Sequence, residues 1–156
     1  MPNAPVTVRP ARADDLTAVA QLLATAHLPD DGLEEQFGPA YAVAEANDTI
    51  VGAEGIERYG DAGLLRSAVV RDDWRGRGVG DLLTRDRLAW ATSCGLCEIW
   101  LLTETAADYF PRFGFARAER AAAPAAIQAS REFAECCPTS AVAMRLDLTR
   151  APSPSA

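Results

Sequence analysis

The densest chemistry in the chain lies in Leu64 to Gly80, LLRSAVVRDDWRGRGVG. Gly76, Gly78 and Gly80 follow an apolar, strand-like run and open a helix-like one. Backbone N–H groups there can approach an anion closely, at the positive end of a helix dipole. Arg75 and Arg77 flank the glycines and add side-chain charge. Three glycines in five positions weaken a helix start by roughly 1 kcal/mol each wherever they are helical, which implies a compensating use such as holding a pyrophosphate. The Gly-x-Gly-x-Gly spacing departs from the Gly-x-Gly-x-x-Gly dinucleotide fingerprint, which also needs a first strand and an acidic residue about 20 positions on.

Arg66 is the one cation on the apolar run before this turn. A buried charge needs a partner, so Arg66 either pairs with a structural Asp or Glu or grips a substrate carboxylate or oxyanion in bidentate fashion. By strand alternation it shares a face with Ala68. Glu54 and Glu57, on the preceding strand, are the carboxylates able to take a proton from an attacking ammonium, and three positions apart they point to opposite faces. Glu57 lies nearer the turn, in GIERYG, and is favoured as the base; the alternative is a solvated edge-strand carboxylate.

Composition narrows the chemistry further. All fifteen basic residues are Arg, so the Lys of a P-loop and the Schiff-base Lys of pyridoxal enzymes are excluded. The formal charge of -7 supplies no footprint for nucleic acid or an anionic membrane. The 156 residues, 49% hydrophobic and 24% charged, fit one globular domain, expected over residues 1–148 with a disordered tail at 149–156. No apolar run approaches the roughly 20 residues of a membrane span, and Met1 to Pro10 lacks a signal-peptide core, which makes cytoplasmic the expected location. Cys94, Cys97, Cys136 and Cys137 are then expected as thiols. Cys94-Gly-Leu-Cys97 falls where a helix ends, not at the helix N-terminus a redox pair favours. With adjacent Cys136-Cys137 and His27 as the only histidine, no metal site is expected.

The elements that must position these groups read as follows. Val6–Arg9 is a first strand, and a helix opens at Asp14 and Asp15 with Leu16, Val19, Ala20, Leu23 and Ala26 along one face. Residues 27–39 are a polar loop, a candidate substrate lid. Tyr41–Glu45 and Thr49–Tyr59 form a hairpin across Ala46-Asn47-Asp48, and Leu64–Val70 is the next strand. A helix opens within Gly76–Gly80 and runs to about Ser93 with Val79, Leu82, Leu83 and Trp90 inward. Glu98–Leu102 is a buried strand, Ala106 to about Arg112 a short helix, and Ser140–Leu146 a last strand; residues 117–129 stay ambiguous. This is an α+β arrangement, a mixed and mostly antiparallel sheet with helices on both faces.

Arg75-Gly76-Arg77-Gly78-Val79-Gly80 after a strand, with Tyr109-Phe110-Pro111-Arg112-Phe113-Gly114-Phe115 downstream, resembles the GNAT superfamily of acetyl-CoA-dependent N-acetyltransferases. The signature there is Arg/Gln-x-x-Gly-x-Gly/Ala and an aromatic-x-x-x-Gly-Phe, and the likeness runs from about Val6 to Leu146. The resemblance implies acetyl-CoA as co-substrate. It places the pantetheine arm on Ala68, Val69 and Val70, the pyrophosphate on the amides of Gly76, Arg77, Gly78, Val79 and Gly80 with Arg75 flanking, and an arm contact at Thr103. The Val70 N–H would serve as a one-donor oxyanion hole, its loss raising the barrier by on the order of 3 kcal/mol.

Counting back from Phe115 puts Phe110 where many relatives carry a Tyr acid, while Tyr109, about 100° round a helix, reads as structural. Leu64 stands where relatives often have a carboxylate base. LLRS, LLTETAADYF and REFAECCPTSAVAMRL resemble short stand-alone amino-acid and arsenic-resistance N-acetyltransferases. In glutamate-acetylating relatives a last-strand Ser is the acid, and Ser140 matches it; the alternative is a strand-capping hydroxyl. The expected acceptor is a small amino acid or an arsinic or phosphinic analogue, held by Arg66. A non-catalytic acyl-CoA-binding module and an acetyltransferase of protein N-termini or aminoglycosides are the rivals. Pairing of sheet edges makes a homodimer an available assembly.

Overall fold

The computed structural model describes residues 5–28, 33–35, 37–130, 133 and 141–150. β1 (Thr7–Pro10) stops at the proline, and Asp14 and Asp15 lie in a 3-10 turn leading into α1 (Leu16–Thr25). Val19 and Leu23, one turn apart, are fully buried. Asp15 accepts the Arg12 N–H at 2.7 Å and both terminal nitrogens of Arg9 at 2.8 and 3.1 Å, which pins the helix start to the first strand. The Arg9 bonds hold the Asp15 carboxyl below the usual aspartate value. The folded state therefore binds fewer protons than the unfolded chain, and this contribution is present above the ordinary aspartate range and lost as pH falls through the depressed value. Asp15→Asn is expected to cost about 1–2 kcal/mol at neutral pH and to flatten the loss of stability between about pH 5 and pH 3, read from urea midpoints.

β2 (Tyr41–Ala46) and β3 (Thr49–Tyr59) are joined by Asn47 and Asp48 at φ 53° and 61°, the left-handed pair that a two-residue turn matched to strand twist requires. β4 (Ala62–Val70) starts two residues earlier than the spacing implies, because Gly60 and Asp61 suffice for its turn. α2 (Val79–Ser93) crosses over to β5 (Glu98–Thr103), which pairs with β4 in parallel. β6 (Ala116–Arg117), α3 (Ala125–Gln128) and β7 (Val142–Asp147) complete the described elements. Strand order is β1-β2-β3-β4-β5-β7-β6, antiparallel except at β4–β5. α1 packs on one face through Val19, Leu23, Ala53 and Val69, and α2 on the other through Val51, Val79 and Leu83. The α+β mixed sheet with helices on both faces is thus the observed fold.

Several local expectations are corrected. Leu82 is 48% exposed; the buried stripe of α2 is Val79, Leu83, Thr84, Arg87 and Ala91, so two polar residues take inward positions. The helix expected over 106–112 is a turn followed by a 3-10 segment, Phe110–Phe113, ended by Gly114 at φ 101°. The ambiguous 117–129 stretch resolves into the end of β6, a 3-10 turn and α3. The tail expected from 149 begins within a 3-10 turn, Leu148–Arg150, and residues 151–156 lie outside the described residues, as do Cys136, Cys137 and Ser140. Residues 29–32 and 36 of the candidate lid lie outside them too. Cys94 caps the end of α2, and it and Cys97 are half-buried free thiols. No helix among the described residues is long and apolar enough to cross a membrane.

One correction reaches the chemistry. Ala53 pairs with Val69 and Gly55 with Arg66, so β4 advances three residues while β3 advances two. Ser67, at φ 59°, sits in this bulge. The bulge shifts the phase of β4. Arg66 faces α1 with Tyr41 and Val69, whereas Leu65, Ala68 and Val70 face α2, and Arg66 and Ala68 do not share a face.

Candidate functional site

β4 and β5 pair only through Ala62–Leu64 against Glu98–Trp100. Beyond that point a cavity of about 700 Å³ lies between them, lined by Leu65–Val70 of β4 and Leu101–Thr103 of β5. It reaches both sides of the sheet, touching Ala26, His27 and Leu28 after α1 and Gly80, Leu83 and Thr84 of α2. The Arg71 N–H is bonded to the Val51 carbonyl at 2.8 Å, so strand alternation turns the Val70 N–H the other way, toward the gap. The Val70 carbonyl accepts Arg75 Nε at 3.2 Å.

At the α2 end, Gly76 and Gly78 adopt φ 77° and 84° with open space where a Cβ would stand. Gly78 is the N-cap of α2 and no side chain caps its first turn, which leaves those N–H groups directed outward. Arg75 lines the cavity; Arg77 does not, and lies 4.7 Å over the Trp74 ring. Val79 turns its side chain into the core, so only its backbone serves the turn. Gly80 lines the cavity beside the Tyr109 hydroxyl. Thr103 lines it as well, its Oγ1 accepting the Ala106 N–H at 2.9 Å.

On the α1 side, Arg66 is buried, with Nη1 3.6 Å from Glu57 Oε2 and Nε 3.3 Å from Ser67 Oγ. Glu57 also accepts the hydroxyls of Tyr41 at 3.1 Å and Tyr59 at 2.9 Å. Burial, then the Glu57 charge, pushes the Tyr41 phenol up, so it stays a donor. Arg66 and Ser67 line the cavity and Glu57 does not; it stands behind Arg66.

Two carboxylates line the cavity, the exposed Glu104 after β5 and, on the α2 side, Glu54, which is 2% exposed. Thr84 donates to its Oε1 at 2.8 Å, and Oε2 is buried without a partner. Tyr109 donates to Asp81 at 2.7 Å while Arg112 bonds the same carboxylate and lies 4.6 Å over the Tyr109 ring. The Tyr109 bond lowers the Asp81 carboxyl, and burial followed by Asp81 raises the Tyr109 phenol.

A gap between a bulged strand and its parallel neighbour, with a glycine turn at the helix that follows, is specific enough to compare. The family model for the acetyltransferase (GNAT) domain matches residues 38–117, 80 of the 156. The chain belongs to the GNAT acetyltransferase family. No curated protein sequence matches it. Among solved structures, an N-acetylglutamate synthase from Neisseria gonorrhoeae complexed with coenzyme A and N-acetyl-glutamate is 17% identical with a TM-score of 0.78; the match covers 94% of this chain but 36% of that one. A Mycobacterium tuberculosis protein, Rv2747, in complex with CoA is 24% identical over 91% of this chain and 99% of its own, with a TM-score of 0.77. The ribosomal-protein-S18-alanine N-acetyltransferase from Escherichia coli is 18% identical over 96% and 98%, with a TM-score of 0.72. This chain therefore spans about a third of the length of the synthase and nearly all of the other two.

The GNAT co-substrate fits what is present: uncapped amides and left-handed glycines for a pyrophosphate, and a cavity walled by backbone groups of Ala68–Val70 for its arm. Sequence reasoning missed Ser67, Thr84 and His27. A signal for Thr84 existed, since Thr84 and Arg87 fall on one face of the helix at i and i+3. Nothing in the sequence marks the Ser67 bulge.

Proposed function

We propose that this GNAT protein, a single domain over residues 1–148, transfers acetyl to the amine of a small carboxylate-bearing molecule, an amino acid or an arsinic or phosphinic analogue. The observation that carries the reading is the buried Arg66 beside Ser67 on the α1 wall, a cation and a hydroxyl facing one cavity. The co-substrate supplies an acetyl group activated as a thioester. Gly76, Arg77, Gly78, Val79 and Gly80 hold its pyrophosphate through amides, with Arg75 flanking, and Ala68, Val69 and Thr103 border its arm. The Val70 N–H, turned to the gap, polarises the acetyl carbonyl. Arg66 orients the acceptor carboxylate and Glu57 holds Arg66. For Glu57 to act as the base, a proton would have to pass Arg66 or a tyrosine hydroxyl, so its role is positioning, and the ammonium proton leaves toward solvent past His27. Ser140 remains the sequence-based candidate for an acid.

A second reading, a peptide N-terminus as acceptor, is favoured by the likeness to the ribosomal-protein acetyltransferase and to Naa50 from Arabidopsis thaliana, solved with a CoA-Ac-MVNAL bisubstrate analogue. The deciding experiment is mass detection of product after incubation with acetyl-CoA and pooled amino acids, their arsinic and phosphinic analogues, aminoglycosides and short peptides. An acetylated amino acid or analogue supports the reading. Acetylation of peptides alone replaces it with the second.

A further inference from the structure

Glu54 has no task in that reading. Its place on β3, between Ala53 and Gly55, lies across from the bulge at Ser67 and Ala68, and it faces α2 as Ala68 does. The side chain is buried, lines the cavity, and is fixed through Oε1 by Thr84 at 2.8 Å, which leaves Oε2 alone without a partner. A buried carboxyl oxygen is ordinarily satisfied. Among the described residues Tyr109 donates to Asp81, Phe110 has no proton to give, Glu57 lies on the far side of the sheet, and the other carboxylate lining the cavity, Glu104, is exposed.

We infer that Glu54 is a catalytic residue that gives its proton to the sulfur of the departing CoA. The inference rests on the proposed course of the pantetheine arm along Ala68–Val70. As the amine nitrogen bonds to the acetyl carbon, the carbon–sulfur bond breaks with its electron pair on sulfur. The Glu54 O–H then completes the thiol and leaves a carboxylate. Over the cycle the ammonium nitrogen releases two protons to solvent, and solvent returns one to Glu54.

Burial pushes the Glu54 carboxyl up to about 8, against the pull of Thr84 and Arg87 and with the push of Asp86, so it holds its proton at neutral pH. From the segment after β5 the facing group is Tyr109, whose proton is given to Asp81. A donor near the ordinary thiol value of about 8.5 is matched to a departing thiolate.

The test is the titration of bound CoA, followed by thiolate absorbance as the difference between CoA and desulfo-CoA complexes. An ionised Glu54 beside the sulfur disfavours the thiolate, so Glu54→Gln lowers the bound thiol's midpoint by about one pH unit or more. With a turned-over amine the same variant loses about 100-fold in kcat and keeps its Kd for CoA. Thr84→Val withdraws a bond that favours the ionised form and moves the alkaline fall of kcat to higher pH; it serves also if Glu54→Gln does not fold. A bound thiol indifferent to Glu54→Gln, or an alkaline limb unmoved in Thr84→Val, overturns this inference alone. Wild-type protein that binds no CoA overturns the placement of the arm as well.

Discussion

Arg66→Met is expected to raise KM for a carboxylate-bearing amine on the order of 100-fold while the Kd for CoA stays within about twofold. The split follows from the bulge at Ser67, which puts Arg66 on the α1 wall and Ala68 and Val70 on the α2 wall. The same change destabilises the fold by about 3 kcal/mol or more, because Glu57 would be left a buried anion without its cation. Its two tyrosine bonds hold its oxygens but do not neutralise it. Pairing Arg66→Met with Glu57→Gln removes both charges and should recover most of the stability while KM stays high. Urea midpoints and steady-state kinetics on the single and double variants separate the two effects. A KM that recovers in the double variant would make Arg66 purely architectural, and the carboxylate-bearing acceptor would lose its support.

The largest expected loss of stability from one added methyl group is at Gly55. A Cβ there would stand 2.5 Å from Tyr41 Cδ2 and 2.6 Å from Cζ, and Tyr41 is fully enclosed. Its ring packs on Phe37 at 5.2 Å and its hydroxyl is bonded to Glu57, so the ring cannot step aside without breaking the Arg66–Glu57 cluster. Overpacking of a filled core costs about 1–3 kcal/mol, and Gly55→Ala should reach or exceed the upper end because the obstacle is a hydrogen-bonded ring. Gly60→Ala is the control: nothing stands within 4 Å of its Cβ, and the loss is confined to the backbone strain of φ 69°, about 1–2 kcal/mol. Equal Tm shifts for the two variants would contradict the packing argument.

The parts of the fold that sequence conveys are those governed by short-range rules. Asn47 and Asp48 favour the left-handed turn, apolar spacing marks Val19 and Leu23, and the Gly76–Gly80 run announces a glycine-built helix start. The glycine turn and the strand before it were legible for that reason, since a turn of that kind needs only glycine and an apolar run. The acceptor end was not. Strand alternation placed Arg66 beside Ala68, and a single extra residue in β4, which no residue type signals, reverses that phase. Leu82 is apolar yet falls on the outer face of α2; Thr84 and Arg87 are inward because Glu54 and the Pro39 carbonyl, 2.7 Å from Arg87 Nη1, give them partners. Alternation puts Glu54 and Glu57 on opposite faces, but only the folded sheet shows that Glu54 lines the cavity while Glu57 stands behind Arg66.

The bulge at Ser67 also separates two properties along one short strand. Residue 66 looks toward one compartment and residues 68 and 70 toward the other, so in the proposed function acceptor preference and cofactor grip are written in different letters of the same word. On the proposed function, a library at positions 26–28 and 66 is expected to change acceptor preference while leaving the Kd for CoA unchanged. Deleting Ser67 would leave residues 66 and 68 as alternating neighbours, still on opposite faces, while inserting one further residue there would exchange the two faces for every residue on one side of it.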